Sequence, residues 1–150
     1  METKLSKSIE IGVPPEEVFA FIISEKMFDT TKDFIKGKWT SAGPVGVGST
    51  AHYVGVGGMQ GKAEWDNKVT EFVENKKMTM HSVGATKRAL DSTQIFALEP
   101  TTKGTKVIYS IDYEMPYSVL GKLADELVFS RNLKKMGTKI LENMKRALEG

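Results

Sequence analysis

The sequence contains no cysteine, which excludes disulfide bonds, thiolate metal sites and thiol nucleophiles together. An excess of charge is also lacking, because 21 basic and 19 acidic residues leave a formal net charge of only +2. Nucleic acid is therefore not an expected partner. Neither a signal peptide nor an apolar run of about eighteen residues occurs, so we expect a cytoplasmic protein without stable membrane insertion.

Histidine is nearly absent as well, with only His52 and His81 in the chain. Two lone histidines without acidic partners at metal-ligand spacing predict no metal site, and no cofactor is expected. What the chain does have is an ordinary globular composition, 40% hydrophobic and 27% charged over 150 residues. Residues 1–150 are therefore interpreted as a single domain, in a monomer or weak homodimer.

The predicted elements follow a simple order. Alternating apolar residues predict a strand over Lys4–Ile11, and Pro15 suits the first position of a helix with a second short helix around Met27 and Phe28. Further strands are predicted at Phe34–Thr40, Ser49–Val56, Lys62–Val73, Lys77–Val83, Arg88–Leu98 and Thr105–Tyr113. Short turns between them indicate an antiparallel meander of six to seven strands in an α+β protein.

The stretch from Tyr117 to Gly150 predicts one long helix. Its apolar residues, among them Leu133, Met136 and Ile140, recur at steps of three and four, which places them on one stripe. Such a helix spans roughly 45 Å and must bury its stripe against a broad apolar surface. The strands are the only candidate for that surface, so the sheet is expected to wrap around the helix.

Several segments resemble a known superfamily. They are KSIEIGVPPEEVFAFI (Lys7–Ile22), GPVGVGS (Gly43–Ser49), VTEFVENKKM (Val69–Met78), FALEPTTKGTKVIYSIDYEMP (Phe96–Pro116) and the helix end from Asn143 to Glu149. Together they resemble the helix-grip fold of the START and Bet v 1-like (SRPBCC) superfamily, in particular its polyketide cyclase/dehydrase-like branch. The resemblance covers nearly the whole chain and lies in turns and core positions. It implies a hollow between sheet and helix that binds hydrophobic or amphipathic small molecules.

Strand alternation and the helix stripe together predict which residues line that hollow. The candidate ligand-binding residues are Met78, Met80, Leu90, Gln94, Phe96, Tyr109, Ile111, Tyr113, Leu133, Met136 and Ile140. An apolar lining with a few hydroxyl and amide groups is typical of a small-molecule pocket of roughly 300–1,000 Å³. The alternative is a closed core in which the tyrosine hydroxyls reach the rim.

The leading hypothesis is a binder or carrier of a small hydrophobic or amphipathic molecule, with no catalytic residue assigned. A cyclase or dehydratase that moves protons through Tyr109, Tyr113 or His52 is the second hypothesis. A protein-interaction module such as a chaperone regulator is the third, and it requires a large exposed apolar patch. Alternation does not decide whether His52 or Tyr53 faces the hollow, while His81, Glu64, Asp66 and Asp112 are expected on the outer face.

Two further patterns are interpreted as structural. Gly46-x-Gly48-x-x-Ala51 has dinucleotide-fingerprint spacing, but a proline-containing loop precedes it and a strand follows, so it predicts no phosphate site. The basic residues Lys134, Lys135, Lys139, Lys145 and Arg146 are expected on a solvated helix face. Gly137, on or beside the helix stripe, leaves three alternatives open: a bend, close packing, or a break between two helices.

Overall fold

The structure is a computed structural model that describes residues 2–55, 63–86, 89–114 and 123–150, with side chains described over 4–55, 63–86, 89–113 and 130–150. The predicted helix segment 117–122, the end of the predicted strand Ser49–Val56 and Arg88 lie outside these residues.

Within the described ranges, seven strands and three helices follow one another in nearly the predicted order. They are β1 (Glu2–Ile11), α1 (Pro15–Ile22), α2 (Lys26–Thr31), β2 (Ile35–Trp39), β3 (Thr50–Gly55), β4 (Glu64–Val73), β5 (Lys77–Gly84), β6 (Ser92–Pro100), β7 (Thr105–Glu114) and α3 (Leu123–Glu149). Pro15 opens α1 as predicted, followed by acidic residues in the first turn. The short helix α2 was also predicted, from Met27 and Phe28.

The strands form one antiparallel sheet in the order β1-β7-β6-β5-β4-β3-β2. From β2 to β7, each strand pairs with the next strand in sequence, and β1 pairs with the remaining side of β7. At one edge α3 packs against β1 and β7, whereas at the other edge α2 packs against β2 and also against α3. Because both edges reach the same group of helices, the sheet curves and its concave face encloses the interior.

Hydrogen bonds fix the long helix in place over that face. Near its C-terminus, the carboxylate of Glu149 accepts a hydrogen bond from the backbone N–H of Gly12 at 2.7 Å. Closer to the middle of the helix, the amide of Asn143 donates to the carbonyl of Thr30 at 3.0 Å. These bonds attach α3 to the β1–α1 corner and to α2, so both contribute to the position of the helix relative to the sheet.

One predicted strand begins later than expected, because β6 starts at Ser92 and Leu90 precedes it. The carbonyl of Leu90 accepts a hydrogen bond from the indole of Trp65 at 3.1 Å instead of joining the sheet. The carboxylate of Asp91 accepts from the backbone N–H of Gly84 at 2.8 Å. The chain therefore crosses the end of β5 at this point, and a Cβ at Gly84 would overlap the carbonyl of Ala89.

The described residues contain no helix that is long and apolar enough to cross a membrane. Over the same ranges, no group of histidine and carboxylate side chains could hold a metal ion.

Candidate functional site

A cavity lies between the concave face of the sheet and the three helices. Its walls are formed by Ile22, Met27, Phe28, Thr31, Ile35, Trp39, Tyr53, Met78, Met80, Gln94, Phe96, Tyr109 and Ile140. The lining is mainly apolar, and the cavity volume is about 30 Å³, room for about two water molecules. This is far smaller than the pocket of 300–1,000 Å³ expected from the sequence, because sheet and helix side chains pack closely.

Six of the eleven candidate ligand-binding residues line this cavity. They are Met78, Met80, Gln94, Phe96, Tyr109 and Ile140. Strand alternation placed the five sheet residues, and the helix stripe placed Ile140, which is buried against them. Their role in ligand binding stays a prediction.

The other five candidates lie elsewhere in the interior. Leu90 and Leu133 pack with Leu5, Ile111 and Tyr113 in a separate apolar cluster at the β1–β7 edge. Met136, the fifth, is half-buried and packs against the main core without lining the cavity. These five residues do not line the cavity, because alternation identifies the face of a residue and gives no information about its place along the sheet. Their role in ligand binding also stays a prediction.

Of the seven other cavity residues, Tyr53 was left open against His52 and six were not predicted. The seven come from α1, α2, β2 and β3, and they are Ile22, Met27, Phe28, Thr31, Ile35, Trp39 and Tyr53. The aromatic residues among them contact one another, with the Phe28 ring 5.8 Å from that of Trp39 and 5.9 Å from that of Tyr53 between centroids. In the sequence, the only indication of these residues was the predicted apolar face of the short helices that contain Ile22 and Met27.

The question between His52 and Tyr53 is decided in favour of Tyr53, whose side chain borders the cavity. Gly37 lies opposite it in β2, and a Cβ there would overlap the rings of Tyr53 and Phe28. The Tyr53 ring therefore lies across a glycine that leaves space for it. Because Tyr53 points inward, strand alternation turns His52 outward.

The cavity wall contains a few polar groups. The amide nitrogen of Gln94 donates to the hydroxyl of Ser82 at 3.2 Å, and the buried indole N–H of Trp39 has no hydrogen-bond partner among the described residues. Burial raises the pKa of the Tyr53 and Tyr109 phenols above their ordinary range. Both are therefore neutral near pH 7, and they can donate or accept hydrogen bonds but are poorly suited to transfer protons.

His52 lies on the outer face between two carboxylates. Its Nε2 is 2.9 Å from Glu64 Oε1, and its Nδ1 is 2.8 Å from Asp66 Oδ1. Both nitrogens can donate only when the ring is protonated, so the hydrogen bonds to Asp66 and then Glu64 raise the pKa of His52 above 6.5. His81 is exposed on the same face, as predicted. His52 therefore cannot contribute to chemistry in the cavity.

Helix α3 runs without interruption through Gly137, which excludes the two-helix interpretation. A Cβ at Gly137 would lie 3.5 Å from the Tyr109 ring, an ordinary contact distance.

On the solvent side of α3, an open basic groove is lined by Lys7, Arg131, Lys134, Lys135, Thr138, Lys139 and Glu142. Gly48 forms a turn before β3 and Ala51 lies within that strand, which confirms that the glycine spacing is no dinucleotide fingerprint.

The curled seven-stranded sheet with its long C-terminal helix places the protein in the helix-grip class. Two proteins with known structures share this Bet v 1-like fold. Ara h 8.0201 has a TM-score of 0.69 at 13% identity, and the alignment covers 99% of this chain and 98% of that one. Major latex-like protein 151 from Panax ginseng has a TM-score of 0.71 at 15% identity, with coverage of 98% and 97%.

A bacterial structure, TTHA0849 from Thermus thermophilus, has a TM-score of 0.70 at 19% identity, covering 98% of this chain and 99% of its own. At these identities the likeness shows the fold alone. No functionally curated protein shows significant sequence similarity to the chain. The family is shown by its sequence model, which matches residues 2–149: the chain belongs to the family described as polyketide cyclase / dehydrase and lipid transport.

Proposed function

We propose that this protein binds a small hydrophobic or amphipathic molecule in the cavity between the sheet and the helices. The observation that carries the proposal is a mainly apolar cavity wall that includes an indole N–H without a partner among the described residues. A buried donor of this kind is costly unless another group accepts its hydrogen bond. Membership in a family described by cyclase, dehydrase and lipid-transport activities also supports a role for this interior.

A guest larger than two water molecules requires the wall to move. Three of the wall residues, Met27, Met78 and Met80, have unbranched side chains that can adopt several conformations at low cost. A guest binds when the free energy gained by burying its apolar surface exceeds the free energy needed to separate the packed side chains of the wall. The closed structure is then the unliganded member of an equilibrium between closed and open interiors.

The experiment is a titration with the neutral lipophilic dye N-phenyl-1-naphthylamine. We expect saturable binding at one site per chain, seen as increased dye fluorescence. Met80→Phe enlarges a wall side chain and fills the cavity, so its dye affinity is expected to fall at least tenfold. Circular dichroism checks that the variant remains folded.

His81→Phe provides the matched control, because it places the same side chain at the next residue of β5 on the exposed outer face. This control is expected to bind the dye like the unmodified protein. Absence of saturable binding by the unmodified protein would overturn the proposal. Equal affinities of the unmodified protein and Met80→Phe would place the dye elsewhere and would overturn it too.

The two other hypotheses have less support. In the described wall the only titratable groups are the phenols of Tyr53 and Tyr109, whose raised pKa values leave no acid–base pair for a cyclase mechanism. For an interaction module, the large exposed apolar residues of the described chain are four valines. Two of them, Val54 and Val83, are separated by β4 residues Glu64 and Asp66, so they form no continuous patch.

A further inference from the structure

One row of paired residues crosses six strands on the concave face of the sheet. From β2 to β7 it consists of Trp39, Ala51, Asn67, Ser82, Ser92 and Tyr113, each opposite the next in the strand register. The last five are buried, and Trp39 is half-buried with its indole nitrogen inaccessible. Apart from Ala51, every member carries a polar group, so the row forms a polar belt across a mainly apolar interior.

Asn67 is the unusual member of this belt. Its side chain is only 2% exposed, and neither its amide nitrogen nor its amide oxygen has a hydrogen-bond partner among the described residues. Buried amides in folded proteins are nearly always hydrogen-bonded, because an unmatched amide loses its bonds to water without replacement. An asparagine at this position is therefore unfavourable for the folded chain by itself.

The neighbours of Asn67 in the sheet do not satisfy its amide. Ala51 has no polar side-chain atom, and the hydroxyl of Ser82 accepts a hydrogen bond from Gln94 at 3.2 Å. Along β4, Val69 lies on the same face and is fully buried. The amide therefore remains available to a group that enters from the interior.

The belt adjoins the cavity. Trp39 belongs to both, and its indole N–H is likewise without a partner among the described residues. Tyr53 and Met80, which line the cavity, are the diagonal neighbours of Asn67 on β3 and β5. Diagonal neighbours in antiparallel sheets lie about 7–8 Å apart. Asn67 itself does not line the cavity, so a guest reaches its amide by displacing the neighbouring wall residues.

We propose that Asn67 recognises the buried end of the ligand through a paired hydrogen-bond donor and acceptor on a neutral group, such as a primary amide or an uncharged carboxylic acid. The Asn67 N–H group donates to the acceptor of the ligand, and the Asn67 carbonyl accepts from its donor. The indole N–H of Trp39 donates to a second acceptor on the same guest. This inference rests on the proposed function and specifies the ligand class.

The neutrality of that group follows from the surrounding chemistry. All buried polar side chains in the described part of the chain are uncharged: Thr30, Thr31, Ser49, Asn67, Thr79, Ser82, Ser92 and Thr105. A charged ligand end would lose its hydration without meeting an opposite charge. A neutral end loses far less and regains hydrogen bonds from Asn67.

The test compares two probes with the same planar shape, 2-naphthamide and the hydrocarbon 2-isopropenylnaphthalene, by titration of probe fluorescence. We expect the unmodified protein to bind 2-naphthamide at least tenfold more tightly than the hydrocarbon. Asn67→Leu, which keeps the branched shape but removes both polar groups, should lose this preference while binding the hydrocarbon at least as tightly. Asp66→Asn, one residue away on the outer face, is the control and should keep the preference.

Thermal stability provides a readout that needs no ligand. Without probe, Asn67→Leu is expected to melt at or above the temperature of the unmodified protein, because an unmatched amide is replaced by an apolar group. A clear decrease would mean that Asn67 has partners within the protein and would overturn the inference. Equal affinities for the two probes, or binding of neither, would overturn the inference as well. The proposed function would be overturned only if N-phenyl-1-naphthylamine also failed its own test.

Discussion

The two faces of β3 and β4 carry opposite chemistry on neighbouring residues. On the outer face, the His52 ring lies between Glu64 and Asp66, and all three groups reach solvent. On the concave face, Tyr53 and Asn67 are each adjacent to one of these residues in sequence, yet their surroundings contain no charge among the described residues. Strand geometry alone separates the two environments, because successive side chains point to opposite faces.

The two faces differ in how strongly a polar side chain affects the free energy of folding. On the outer face, polar groups satisfy one another and water screens their charges, so each contact contributes little free energy. On the concave face, a polar group either finds a partner or destabilises the fold. An unmatched amide on the concave face is therefore a stronger indication of function than a matched ion cluster on the outer face.

The largest effect on stability is expected when a charged group typical of the outer face is placed at the adjacent position on the concave face. Asn67→Asp places a carboxylate in the uncharged interior and should reduce the free energy of unfolding by about 3–5 kcal/mol near pH 7. Because burial raises the folded-state pKa of that carboxyl, the loss grows as the pH rises above about 4 and vanishes below it. Urea unfolding at several pH values measures both quantities.

Asp66→Asn is the matched control for that experiment. Its side chain is 73% exposed, so the loss should stay below about 1 kcal/mol. Equal effects of the two substitutions would contradict the distinction between the faces.

A smaller effect is expected at the glycine beneath Tyr53. Gly37→Ala introduces a Cβ that overlaps the rings of Tyr53 and Phe28, and overpacking of this kind costs about 1–3 kcal/mol. Displacing the Tyr53 ring also alters the cavity wall, so dye affinity should change together with stability. Gly46→Ala meets nothing within 4 Å and should leave both unchanged. A Gly37→Ala protein with unaltered stability and dye affinity would contradict this assignment of the Tyr53 ring.

The smallest effect is expected on the outer face. His52→Gln removes the protonated ring between the two carboxylates and should cost about 0.5–1 kcal/mol in acid. Because the folded-state pKa of His52 is raised above 6.5, its contribution is fully present below about pH 6.5 and is lost as the pH rises through the raised pKa. Melting temperatures of both proteins should therefore differ at about pH 5.5 and converge at high pH. A difference that persists unchanged at about pH 9 would contradict this explanation.

Much of the fold was predictable from local patterns. Alternation in β5 and β6 placed Met78 and Phe96 on the concave face, and apolar periodicity with turn signals supplied the order of elements. Alternation gave no answer in β3, since His52 and Tyr53 lie in a strand whose two faces both accept large side chains. Register with the neighbouring strands decided it, by placing Gly37 under Tyr53 and Asp66 beside His52.

The site itself was less predictable than the sheet. Asn67 shares the face of Trp65 and Val69 by alternation, so its inward orientation was present in the pattern but was not recognised. Its unmatched amide could not be anticipated, because hydrogen-bond partners depend on strands distant in sequence. The small cavity was also unexpected, since the separation between sheet and helix depends on how many side chains interlock rather than on their type.

By itself, the sequence determined the number and order of strands, the long helix and the uncharged character of the concave face. These features arise from local periodicity and turn chemistry, which act over a few residues. Only the tertiary structure decided that Asn67, Trp39 and Tyr53 lie beside one cavity, that His52 lies on the outer face, and how much space remains inside. Those features depend on strand register and on packing between residues far apart in the chain, where no local pattern operates.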